Sequence, residues 1–158
     1  KVAAVTSRVL VRNNQNYIER SQMVDYAIIA WTRKLLDFVD SVYVTNGPLS
    51  IYKKIYVQEV GGFDPKNLTE DIEITWHLLS KGYKTRMSYG AIVYTIAPNN
   101  FKGWNNQRVR WNLGGIQTIF KYWKDILKNP NHFFSKFVIP YVSLAFILAF
   151  VGLFLIHN

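Results

Sequence analysis

Hydrophobic and polar positions follow several periods along the chain, and each change of period marks a new element. Residues 2–11, VAAVTSRVLV, alternate β-branched and small side chains and predict a strand ending near Arg12, Asn13 and Asn14. Residues 17–39 hold no Gly or Pro, and Val24, Ile28, Trp31, Leu35 and Phe38 recur at steps of four and three, as one apolar face of a long helix does. VYVTNGPLSIY follows, a strand-like segment broken into a turn by Asn46-Gly47-Pro48. EVGGFDPKN predicts a loop whose paired glycines permit positive φ.

Thr69 then stands as the cap of a helix running to Lys81, with Glu70, Asp71 and Glu73 in its positively polarised first turn and Gly82 as its stop. Ile72, Trp76 and Leu79 are expected to face inward. YKTRMSYGAIVYTIAP predicts one strand or two short ones, closed by Pro98. A basic, aromatic helix is expected over residues 101–127. Residues 137–156, FVIPYVSLAFILAFVGLFLI, carry no charge and have the length needed to cross a hydrocarbon core. They predict a transmembrane helix, a buried core helix being the alternative. Lys121, Lys124, Lys128 and Lys136 precede this run and only His157 follows it, so the positive-inside rule puts residues 1–136 on the cytosolic side.

Composition narrows the chemistry. A chain of 158 residues with 49% hydrophobic side chains has ample material for one core. It begins at Lys1 with no signal-peptide layout, which predicts a piece of a longer protein. The absence of cysteine excludes thiol nucleophiles, disulfides and Cys-ligated metals and fits a reducing compartment. His77, His132 and His157 form no ligand spacing. The net charge of +9 invites nucleic acid, lipid head groups or phosphorylated substrates, and the 16% aromatic content suits sugar stacking or a membrane interface.

NNQRVRW, just upstream of the most apolar run, offers more. On a helix, Gln107, Arg110 and Trp111 share a face, while Arg108 and Val109 point elsewhere. A guanidinium fork fits phosphate oxygens, an amide bonds a sugar hydroxyl or a phosphate, and an indole stacks on a pyranose. The same composition also suits an interfacial helix with no chemistry. LTED is equally two-sided. It is a plain helix start, or it makes Asp71 or Glu70 a general base facing a cleft. A helix N-terminus lowers a carboxylate pKa, so the second case needs Glu70 or partial burial to offset it. TNGPLS makes a plain turn, or brings the backbone N–H groups around Gly47 close to a ligand.

Taken in order, TNGPLSIYKK, VGGFDPKNLTEDIEITWHLLSKGYKT and GWNNQRVRWNLGG resemble the second half of a processive family 2 glycosyltransferase, as in cellulose, chitin, hyaluronan and poly-N-acetylglucosamine synthases. Such enzymes resemble one another in a Thr-Glu-Asp motif followed, a few dozen residues on, by Gln-x-x-Arg-Trp and then membrane helices. Here these are Thr69-Glu70-Asp71, then Gln107, Arg110 and Trp111, then residues 137–156. The strings TEDIEITWHL and QRVRWNLGG are most similar to the poly-N-acetylglucosamine branch, which implies N-acetylglucosamine as the sugar.

The resemblance implies an α/β fold, the C-terminal half of a GT-A domain over residues 1–100, an interfacial helix region over 101–130 and the membrane helix over 137–156. It implies an inverting transferase of the plasma membrane that uses a UDP-sugar donor and a polysaccharide acceptor among membrane lipids, with room for an accessory membrane subunit and no nucleic-acid partner. Asp71 would be the base, with Glu70 beside it; Gln107 and Arg110 would hold the donor diphosphate and Trp111 would stack on the acceptor. Mg²⁺ or Mn²⁺ would be held by an Asp-x-Asp in an earlier half that this sequence lacks, so the piece alone is expected to be inactive and to expose strand edges. A non-processive transferase acting on a lipid acceptor, and a basic membrane-bound scaffold, are the competing classes.

Overall fold

The computed structural model describes residues 1–128 together with Lys136, Pro140, Tyr141 and Leu144. It is a mixed α/β fold: β1 (Val2–Val11), α1 (Tyr17–Phe38), β2 (Ile51–Tyr52), α2 (Lys54–Glu59), α3 (Glu70–Ser80), β3 (Lys84–Thr95) and α4 (Phe101–Leu127). β1 is the middle strand of three, antiparallel to β2 and parallel to β3. Its small and β-branched residues are therefore buried on both faces, from Ala3 and Ala4 to Val9 and Val11. β3 is one strand, but irregular. Thr6 pairs with Met87 and Arg8 with Ile92, so β3 bulges beside Ser7, which is why its sequence reads as one strand or two.

α3 is the central helix, covered on two sides. Ile74 and Leu78 pack with Ala3, Ala4 and Val60, while Trp76 and Leu79 pack with Tyr122 and Ile126 of α4. Trp76 and Leu79 thus face inward as expected, with Ile72 partly buried beside them. The helix ends where Gly82 takes φ 80°; its N–H donates to the Leu79 carbonyl and that of Tyr83 to the Leu78 carbonyl, a glycine-terminated stop. Gly61 and Gly62 likewise take positive φ in the loop before α3.

α1 has the expected length and packs on β1 and β3, but the apolar face that its spacing marks is not the face it buries. Val24, Ile28, Trp31, Leu35 and Phe38, the apolar face of the helix, are all exposed, Trp31 by 61% and Phe38 by 74%. The inward face instead holds Gln22, Ala30 and Asp37, again at helical spacing. The reason is that this polar face meets partners. Gln22 Nε2 donates to the Pro98 carbonyl at 2.8 Å, and Asp25 pairs with Arg108 of α4 at 2.7 Å. Buried Asp37 takes Arg86 Nε at 2.8 Å and the Met87 N–H at 3.0 Å. Asp40, just past the helix end at φ 54°, binds Lys84 and Arg86, so the end of α1 is fastened to β3 by charge. A capping box of Asn16 and Glu19 closes the other end.

The remaining expectations divide. Only Ile51 and Tyr52 of VYVTNGPLSIY pair as strand, because Thr45 and Asn46 spend their backbone N–H groups on the hydroxyls of Thr75 and Thr6 instead of on a strand neighbour. α4 matches its expected span, but of the aromatics Trp104, Phe120, Tyr122 and Trp123, which an interfacial helix would set at membrane depth, Tyr122 is a core residue, while Phe120 and Trp123 are exposed. Lys121 is held by Asp64 and Glu73, both at 2.7 Å. The transmembrane expectation over 137–156 lies outside the described residues apart from Pro140, Tyr141 and Leu144. Among the described residues no helix is long and apolar enough to cross a membrane.

Candidate active site

Close packing and hydrogen bonds bring the helix start at Thr69 and the face of α4 together. Thr69 occupies the cap position of α3, yet its side chain makes no capping hydrogen bond, contrary to expectation. It is buried against Gly114 of α4, where an added Cβ would lie 2.1 Å from Thr69 Oγ1. Only glycine lets the two segments approach so closely. The loop ahead of α3 is then pinned along α4: Asn67 Nδ2 donates to Thr118 Oγ1 at 3.2 Å, the Leu68 N–H to Gln117 Oε1 at 3.2 Å, and Arg110 donates to the Leu68 carbonyl at 3.3 Å. Deeper down, Glu73, fully buried, accepts from Lys121 and from the Tyr122 hydroxyl.

The result is a cavity of about 530 Å³ lined by Gly47, Glu70, Asp71, Gln107, Arg110 and Trp111. Every residue singled out in the sequence for chemistry thus borders one space. Tyr26 and Arg33 of α1 line it as well.

Asp71 is fixed at its base. Its Oδ2 accepts the Gly47 N–H at 2.9 Å and its Oδ1 the Ile72 N–H at 2.9 Å. Of the two readings of this turn, Gly47 gives its N–H to Asp71 within the protein, while the residue still borders the cavity. Burial is the largest influence on the carboxyl and raises its pKa above the usual value. The Ile72 N–H opposes the rise, the Glu70 charge adds to it, and the Gly47 N–H and Arg33 oppose it, with a net rise remaining. Burial and Glu70 thus outweigh the helix terminus and leave a carboxylate more basic than an exposed one, as a proton acceptor requires.

The face of α4 is set with comparable care. Arg108 points away from the cavity, as its position in the helix predicts: it pairs with Asp25 and lies 4.9 Å from the Trp111 ring centre. Tyr26 meets the same indole edge-on, with ring centres 6.2 Å apart. Trp111 is thus held between two side chains while still bordering the cavity. Arg110 is exposed and makes no ion pair among the described residues, so most of its donors are available. The Gln107 side-chain oxygen is buried and has no hydrogen-bond partner, which suits a ligand hydroxyl.

Arg33 and Tyr26 were not singled out in the sequence. The signal existed in the helical repeat Gln22, Tyr26, Ala30, Arg33 and Asp37, the polar counterpart of the apolar stripe. Among the described residues no group of three or more His, Asp or Glu is arranged to hold a metal ion.

An acid at the start of α3 and an Arg, a Gln and a Trp of α4 thus line one cavity of an α/β fold. The family described as glycosyl transferase family group 2 matches residues 1–157, and the chain belongs to it. It is 27% identical over 149 residues to the poly-β-1,6-N-acetyl-D-glucosamine synthase of Staphylococcus aureus (strain COL), covering 94% of this chain and 36% of that protein. It is 28% identical over 128 residues to the enzyme of the same name from Staphylococcus epidermidis, covering 80% of this chain and 31% of that one. The chain spans about a third of the length of the curated relatives it matches.

Proposed function

We propose that the chain is the acceptor-side part of a longer, membrane-bound, inverting transferase that adds N-acetylglucosamine from a UDP-sugar to a β-linked polysaccharide. The observation that carries this is Asp71, a carboxylate of raised pKa set in a cavity opposite an unpaired guanidinium and a fixed indole. The acceptor sugar lies on Trp111, and its hydroxyl gives its proton to Asp71 as its oxygen attacks the anomeric carbon. The bond from that carbon to the diphosphate breaks on the opposite side, which inverts the centre without a covalent enzyme intermediate. Arg110 takes the charge that develops on the leaving diphosphate, and Gln107 bonds a sugar hydroxyl or a phosphate oxygen.

In this reading residues 1–100 form the C-terminal part of a GT-A domain on the cytosolic face of the plasma membrane. The exposed aromatics of α4 lie near the lipid and residues 137–156 anchor the chain in it. A divalent ion, where used, is held by residues outside those described.

The test is polymer synthesis by the full-length protein in membranes, with Mg²⁺ and a panel of radiolabelled UDP-sugars. The expected result is a long product from UDP-N-acetylglucosamine, lost in Asp71→Asn and in Arg110→Lys, since a point charge does not replace the two-pronged contact. A single-sugar lipid product, or full turnover in Asp71→Asn, would overturn it.

A further inference from the structure

The cavity contains a cation that the motifs do not account for. Arg33 lies on the inward face of α1, one helical step from Ala30 and seven residues beyond Tyr26, and lines the same space as Asp71 and Arg110. Arg33 is partly buried, and loss of solvation pushes its pKa down to about 10; charges on Tyr43, Asp71 and Tyr26 only partly counter this. Other cations of the fold have found carboxylates: Arg86 with Asp37 and Asp40, Arg108 with Asp25, Lys121 with Asp64 and Glu73.

Arg33 makes no ion pair or hydrogen bond among the described residues. Asp71, the acid whose charge acts on it, makes no ion pair with it, and its oxygens accept the Gly47 and Ile72 N–H groups. A partly desolvated guanidinium that lines a cavity without an acceptor gains hydrogen bonds and charge compensation when an anion enters.

We propose that Arg33 is a binding residue for the diphosphate of the nucleotide-sugar donor, acting with Arg110 so that α1 and α4 each supply one guanidinium to it. This rests on the transferase reading above. The acceptor in that reading is a neutral sugar, so the donor diphosphate is the anion that enters. The two arginines differ in environment. Arg110 is exposed and reaches the ligand from solvent, whereas Arg33 is partly buried on α1 and so loses less solvation on binding. The inverted orientation of α1 gains a purpose here, because turning its polar face inward is what delivers a cation to the cavity.

The experiment is titration calorimetry on the full-length protein in detergent, with UDP and with uridine, which lacks the phosphates. Arg33→Gln should weaken UDP binding by about ten- to a hundred-fold, as expected for losing a charge-assisted contact, and leave uridine binding unchanged. Arg33→Lys should recover part of the loss, because it restores the charge without the fork. In the wild-type protein, UDP but not uridine should shield Arg33 from phenylglyoxal, read by mass spectrometry, a measurement that requires no variant to fold.

Unchanged UDP affinity in Arg33→Gln, or modification of Arg33 undiminished by UDP, would overturn the proposal while leaving the transferase reading in place. So would a variant whose only defect is an acid limb of the pH profile moved upward, which would make Arg33 a charge partner of Asp71 alone. Wild-type protein that binds no UDP would overturn the transferase reading and this assignment with it.

Discussion

Replacing Gly114 by alanine sets two known effects against each other. In a helix interior alanine is favoured over glycine by about 1 kcal/mol, and on propensity alone the variant would be more stable. The structure reverses that sign. The new Cβ would fall 2.1 Å from Thr69 Oγ1, 2.7 Å from Cγ2 and 2.8 Å from Cβ. Carbon atoms prefer about 3.5–4.0 Å, and although the hydroxyl and methyl can rotate away, the Thr69 Cβ cannot. Backbone must therefore move by about 1 Å, separating α4 from the start of α3, and overpacking of this kind costs about 1–3 kcal/mol.

The shift would also carry Gln107, Arg110 and Trp111 away from Asp71, and a misplacement near 1 Å lowers turnover by about a hundred-fold. We expect Gly114→Ala to melt at lower temperature than wild type in detergent and to lose most polymer synthesis. Thr69→Gly removes all three clashing atoms, so in the double variant the two changes should offset each other, which a double-mutant cycle measures. An unchanged or raised melting temperature with normal turnover in Gly114→Ala alone would refute the reasoning.

The raised pKa of Asp71 fixes the direction of pH effects. Its ionised form is disfavoured in the fold, so its contribution to stability is largest while it is protonated and declines as pH rises through the raised pKa, whereas transfer requires the ionised form and is lost as pH falls through it. Glu70→Gln removes a like charge and should move the acid limb of kcat/KM to lower pH; a limb that stays or rises would count against Asp71 as the base. On α1, Ala30→Leu should destabilise by about 1–3 kcal/mol, because Ala30 is buried against Val42 and Met87. Trp31→Ala, one residue on, should change stability by less than about 0.5 kcal/mol in thermal melts. Equal effects would mean that the helix faces the other way.

Much of this site was legible because its residues are consecutive or helically spaced. Thr69-Glu70-Asp71 opens a helix and Gln107, Arg110 and Trp111 share a face, and both properties follow from local geometry. That the two segments border one cavity depends on Gly114 and on the loop from Asn67 to Thr69, contacts between distant positions that periodicity does not encode. α1 shows the sharper limit. Its apolar spacing gives the helix and its length correctly but the wrong inward face, since burial of Gln22 and Asp37 depends on acceptors and cations on β3 and on the loop before α4. Periodicity identifies faces; the partners waiting across the gap decide which face is inside. Thr69 shows the same thing at a single residue, where a good capping side chain is drawn instead to a neighbouring helix.

The orientation of α1 also inverts how substitutions should accumulate there during evolution. In an ordinary amphipathic helix the apolar positions are constrained and the polar ones drift. Here Val24, Trp31, Leu35 and Phe38 face outward, where this fold restrains them little, while Gln22, Asp25, Ala30, Arg33 and Asp37 each meet a partner or line the cavity. In an alignment of full-length relatives, invariance on this helix should therefore follow the hydrophilic stripe.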